Sequence, residues 1–102
     1  MYKSLKPWVN IPYSIRHFIK RSGTGKAIYS DPVDGLCYPE AKMQIIKDSN
    51  GAETVSSHVL YIDGNTSIDV QDCIVFEGKE WTIKNINSFY RDGHTDCKVV
   101  YL

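Results

Sequence analysis

The sequence predicts an all-β protein: a small single-domain β-barrel with a projecting hairpin loop and an extended N-terminal segment. Three observations lead there. The chain is 102 residues long, enough for one core and no second domain. Turn pairs recur along it: Gly23-Thr24-Gly25, Asp31-Pro32, Asp34-Gly35, Asn50-Gly51, Asp63-Gly64-Asn65, Glu77-Gly78 and Asp92-Gly93. Between them lie runs rich in Val, Ile, Tyr, Phe and Thr, the mark of short strands in a sandwich or barrel. With 42% hydrophobic and 24% charged residues, the composition is that of a folding chain.

Residues 1–12 read as an extended lead. The first strand is expected over Tyr13 to Arg21, where Tyr13, Ile15, His17 and Ile19 alternate with polar neighbours and Phe18 interrupts the pattern. A helix over Ser14 to Lys20 would have only about two turns, too few to stand without tertiary support. A turn at Ser22-Gly-Thr-Gly25 returns the chain through Lys26 to Ser30. The next strand, about Gly35 to Lys47, contains Pro39, which implies an edge position, a bulge or a late start. Asn50-Gly51 signals a hairpin of type I′, whose central residues both need positive φ. Its return strand is Thr54 to Ile62. The tip, 47–57, is nearly bare of large apolar groups, so the hairpin is expected to project and to be mobile until a partner orders it.

The last third predicts a hairpin of Cys73 to Glu77 with Glu80 to Asn87, turning at Glu77-Gly78. Trp81 and Ile83 share a face there, and Ile86, out of phase, suggests a bulge near Asn85. In the closing strand Cys97, Val99 and Tyr101 face one way, and Lys98, Val100 and Leu102 the other. A chain ending inside a strand is expected to be tied into a sheet, with no tail.

Formal net charge is zero but unevenly spread. Lys3, Lys6, Arg16, Lys20, Arg21 and Lys26 precede any acid. From 27 to 72, Asp31, Asp34, Glu40, Asp48, Glu53, Asp63, Asp69 and Asp72 face only Lys42 and Lys47. Such a division lets copies attract one another, or lets the lead meet an acidic partner or nucleic acid; chance clustering on a solvated surface accounts for it equally. No apolar run approaches the roughly 20 residues needed to cross a bilayer, and MYKSLKPWVNIPYS lacks a signal-peptide centre. An intracellular soluble protein without membrane contact is expected. Cys37, Cys73 and Cys97, odd in number and widely spaced, are expected to be reduced thiols.

No catalytic constellation emerges. His94 and Asp96 would share one strand face with Cys97 opposite, and Cys73 and Cys97 occupy inward positions where a free thiol acts as a small hydrophobe. No Cys-x-x-Cys or His-x-x-x-His offers a metal site. Ser22-Gly-Thr-Gly-Lys26 fails as a phosphate loop, because Lys20 stands where its first glycine belongs and Ala27 replaces the magnesium-binding hydroxyl. Neither catalysis, a metal nor a cofactor is expected. Arg16, Lys20, Arg21 and Lys26, interleaved with Tyr13, His17, Phe18 and Tyr29, have the mixture that single-strand binders use, although a neutral domain lacks their overall basic field.

Lys6-Pro7-Trp8, the run Val59-Leu-Tyr-Ile-Asp-Gly64 followed by Asp72-Cys-Ile-Val-Phe-Glu-Gly-Lys-Glu-Trp-Thr-Ile83, and the ending Tyr90-Arg-Asp-Gly-His-Thr-Asp-Cys-Lys-Val-Val-Tyr-Leu102 together resemble a known family. They look like the small head-closure (stopper) proteins of long-tailed bacteriophages, also described as minor capsid or head–tail connector proteins. Tail-completion or terminator-type connectors and other small phage barrels share part of the pattern; a small nucleic-acid-binding β-barrel is the separate alternative that the basic and aromatic residues leave open. The resemblance implies a homo-oligomeric ring in the virion neck, assembled in the bacterial host cytoplasm. That ring would lie between the portal-side adaptor and the tail terminator or tail proteins, closing the DNA-filled head and touching packaged double-stranded DNA non-specifically. The channel loop it implies is Lys47, Asp48, Ser49, Asn50, Gly51, Ala52, Glu53 and Thr54. Ring, adaptor or DNA contacts would come from Lys6, Trp8, Arg16, Lys20, Arg21 and Lys26.

Overall fold

A computed structural model describes residues 10–91 and 93–102, without the side chains of 91 and 94–96. Every regular element in it is a strand: β1 (Ile11–Arg16), β2 (Phe18–Arg21), β3 (Ala27–Tyr29), β4 (Val33–Lys47), β5 (Glu53–Asp63), β6 (Cys73–Phe76), β7 (Lys79–Thr82), β8 (Asn85–Arg91) and β9 (His94–Tyr101). Seven of them form one antiparallel sheet in the order β7-β6-β1-β4-β5-β9-β8, while β2 and β3 pair only with each other. The all-β expectation holds.

Closure into a barrel does not. The edge strands β7 and β8 are consecutive in sequence, so the sheet curls until they share a corner, yet no ladder joins them. The reason lies in the link between them. Ile83 turns into the core, and the Lys84 backbone N–H donates to the Tyr101 carbonyl at 2.8 Å, pairing with β9 instead of β7. The single strand expected over Glu80 to Asn87 is thus two strands, and the phase change of Ile86 is a corner and not a bulge.

β4 ties the halves together. Its first part pairs with β1, from Ile15↔Val33 to Ile11↔Cys37, and its second with β5, from Tyr38↔Tyr61 to Lys47↔Glu53. Pro39 falls just past the last β1 partner, so its missing N–H removes no bond on that side. A register shift between Ala41 and Gln44 accommodates Lys42 and Met43. The expected lead is shorter than 12 residues, because Ile11 and Pro12 already belong to β1.

The period of two along the strands sends Tyr13 and Ile15, Leu60 and Ile62, Ile74 and Phe76, and Val100 and Leu102 into one core. Leu102 is held by its own N–H on the His58 carbonyl and by the Ser57 N–H on its carbonyl, both 2.9 Å. The opposite face of β5 and β9 carries a second cluster, Val59, Cys97 and Val99, covered in part by Tyr61 and Tyr101. Both faces of β9 are therefore apolar. Tyr38 stacks on Tyr61 at 5.7 Å and extends this second layer.

All three cysteines are buried and free. Burial pushes the Cys37 thiol from 9.0 to about 12, and burial, followed by the nearby Cys37, pushes the Tyr13 hydroxyl from 10.0 to about 12. The folded state holds both protons more tightly than the unfolded chain does. Their contribution is complete below about pH 9 and is lost as pH rises toward 12, with a slope of up to about 1.4 kcal/mol per pH unit for each group. Urea midpoints should accordingly fall across that window; a midpoint unchanged to about pH 11 would contradict the burial of these groups.

Candidate functional site

The candidate channel loop closes the β4–β5 hairpin. Asp48 Oδ1 accepts the backbone N–H groups of Asn50 (2.9 Å) and Ala52 (3.0 Å), while the Asp48 N–H donates to the Ala52 carbonyl at 2.8 Å. This is an aspartate-organised turn in which Gly51 alone takes positive φ, 84°. The type I′ geometry expected at Asn50-Gly51 occurs instead at Glu77-Gly78, whose φ values are 55° and 74°.

Nor does the tip stand clear of the body. The Ser49 N–H donates to the Lys84 carbonyl at 3.2 Å, Asn85 Nδ2 donates to the Lys47 carbonyl at 2.9 Å, and Lys84 Nζ donates to the Val55 carbonyl. Tip and β7–β8 corner are laced together, which corrects the expectation of a loose projecting arm. What faces outward is the stem below the tip. Ile45 and Val55 are directly paired, Met43 lies two residues along, and they are 72%, 47% and 78% exposed. Glu53 and Thr54 begin the return strand, with Glu53 exposed.

The second candidate region is basic. β2 and β3 form a short ribbon around the Ser22–Lys26 turn, where the Ser22 N–H donates to the Lys26 carbonyl at 2.7 Å. The first strand expected over Tyr13 to Arg21 breaks at His17, because the Phe18 N–H is captured by a distant side chain: Asp72 Oδ1, at 2.9 Å. The buried Asp72 carboxylate also meets His17 Nδ1 at 3.0 Å and accepts the Asp69 N–H at 2.9 Å. His17 and Asp72 lie 55 positions apart, and only the interruption of alternation at Phe18 hinted at their junction. Phe18 meets Tyr29 edge to face at 6.2 Å and stiffens the ribbon.

The cations of the ribbon and of the β1 end that leads into it differ in availability. Arg16 is occupied, with Nη1 on Glu80 at 2.8 Å and Nε donating to the Ser30 carbonyl at 3.2 Å. Arg21 lies over the Phe18 ring and donates to the Gly25 carbonyl at 3.2 Å. Lys20 and Lys26 are exposed. Ile19 stands beside them, 57% exposed, although strand alternation places it with Tyr13 and Ile15; the break at His17 takes it out of the core. Lys6 and Trp8 lie outside the described residues.

The chain matches no family model and no curated protein. Among solved structures it is similar to xkdH, a protein of the phage-like element PBSX from Bacillus subtilis, with 21% identity over 90% of this chain and 91% of that one and a TM-score of 0.48. A likeness at that level carries nothing about activity or partners.

Two recesses flank β1 and the start of β4. One, of about 760 Å³, lies over Pro12, Leu36 and Val75. The other, of about 540 Å³, reaches Ile15 and His17 between Val33, Asp34 and Asp63. Asp34 accepts the Ser14 hydroxyl at 2.6 Å and Asp63 accepts the Asn65 N–H at 2.9 Å, which fixes both carboxylates in place. Among the described residues no group of three or more His, Cys, Asp or Glu is gathered as metal ligands are. The Cys97 thiol is buried, and the His94 and Asp96 side chains lie outside what is described. His58, which the sequence did not single out, packs on Trp81 at 4.8 Å with Lys79 Nζ 4.2 Å from the same ring; it serves the core. No helix among the described residues is long and apolar enough to cross a membrane.

Proposed function

We propose that this chain is a structural protein of a bacteriophage neck, one subunit of a ring between the portal-side adaptor and the tail that closes the filled head and carries the tail. The observation that carries this reading is the β4–β5 hairpin. A pre-organised polar tip crowns a stem whose Met43, Ile45 and Val55 are left to solvent, an arrangement that serves contact with other chains better than it serves an isolated monomer. The motifs that resemble head-closure proteins point the same way. In this reading Glu53, near the tip, faces the channel and repels DNA phosphates, which suits a gate better than a grip. No catalytic group or cofactor is assigned.

Replacing residues 48–53 by a shorter turn, or Asn50→Pro, which removes the N–H bound by Asp48, should leave the β-sheet circular dichroism intact. Phage carrying either change should yield heads that leak DNA or fail to join tails, with infectious titre down by orders of magnitude. A normal titre would reject the loop's role. A nucleic-acid-binding β domain draws support from exposed Lys20 and Lys26. It calls for salt-sensitive binding of DNA by the isolated monomer, which an anisotropy titration measures.

A further inference from the structure

We infer that the β2–β3 ribbon of one copy seats in the acid-rimmed recess beside β1 and β4 of the next. The inference rests on the ring reading for its head-to-tail arrangement and deepens it by naming the two surfaces that meet. Each surface carries the same mixture with opposite sign. On the ribbon, Ile28 is paired with Lys20 and shares its face, and Ile19 and Lys26, near them in the chain, are exposed as well. In the recess, half-exposed Val33 and Leu36 stand beside Asp34 and Asp63.

Apolar groups at the centre of a patch with charges at its edge are the composition of a protein contact. Double-stranded DNA would reward the cations but leave Ile19 and Ile28 unused, since its affinity comes mainly from phosphates. A second copy satisfies both. The acidic side of the fit is also prepared in advance: Ser14 holds Asp34 and the Asn65 N–H holds Asp63, so few side chains of the recess need ordering when the surfaces meet.

Sedimentation velocity on the full chain tests the contact. Wild-type protein should associate at about 0.05 M salt and at least about tenfold more weakly at about 0.5 M. Lys20→Glu with Lys26→Glu should abolish association, and so should Asp34→Lys in a separate chain. Mixing the two variants should restore it, because native ribbon then meets native recess and reversed ribbon meets reversed recess; that rescue also shows that both variants are folded. Wild-type chains that stay monomeric up to about 1 mM, or variants that associate as the wild type does, would overturn the contact. So would a ribbon variant that keeps self-association but loses retention of duplex DNA, which would assign the ribbon to nucleic acid. The neck reading fails on a different result, a normal titre after the 48–53 replacement, which touches neither surface.

Discussion

Leu60→Ala should cost about 3 kcal/mol and lower the melting temperature by about 15 °C. Leu60 is completely buried, lies opposite Pro39 on one side and Val100 on the other, and belongs to the core shared by both halves of the sheet. Truncation removes the transfer free energy of its side chain and leaves a cavity. The hydrogen-bonded neighbours on each flank limit how far the walls can collapse into it, which places the cost above that of a peripheral leucine. For a domain whose whole stability is of the order of 5–15 kcal/mol, that is a large share. Thermal and urea unfolding measure it; a loss below about 1 kcal/mol would show that the core repacks freely.

Asp72→Ala should have a comparable cost, about 3 kcal/mol, with a different distribution. The carboxylate serves three groups at once, and its loss strands the backbone N–H groups of Phe18 and Asp69 while freeing His17. The damage should be local. In hydrogen exchange the Phe18 amide and the β2–β3 ribbon should lose protection, while Leu60 and Ile74 amides keep it. Asp72→Asn, which retains an acceptor oxygen, should lose less, about half. If the ribbon is the contact between copies, Asp72→Ala should also weaken self-association without altering a charge on either surface. Unchanged protection at Phe18 would mean that the carboxylate does not hold the junction.

Much of this architecture was legible because it is local. Two-residue alternation marked Leu60 with Ile62 and Val100 with Leu102, and turn chemistry marked Glu77-Gly78 and the Ser22–Lys26 return. What escaped depends on partners far along the chain. The strand expected through Arg21 breaks at His17 because residue 72 supplies the bond that a neighbouring strand would otherwise give. The strand expected through Asn87 breaks at Ile83 because Lys84 pairs with Tyr101. At Asn50-Gly51 the dipeptide suggested one turn type, and Asp48, two residues earlier, imposed another by capturing two N–H groups. The acid-rimmed recess had no signature beyond the charge division, since it assembles Val33, Asp34 and Asp63 from strands that meet only in the folded sheet. The exposed stem has no sequence signal of its own: only the geometry shows that nothing among the described residues covers Met43, Ile45 and Val55.

The shared strand β4 has a mechanical meaning. Its 15 residues run from the recess at Val33 to the hairpin turn at Lys47, with one register shift at Lys42 and Met43, about 50 Å of covalent backbone at the usual rise per residue. A push on the turn is carried along that strand toward the far end of the domain, and the register shift at Lys42 and Met43 is the point where the strand would bend under it. In a protein proposed to hold back packed DNA, the turn that would feel the pressure and the surface that would grip the neighbouring subunit are two ends of one covalent strand.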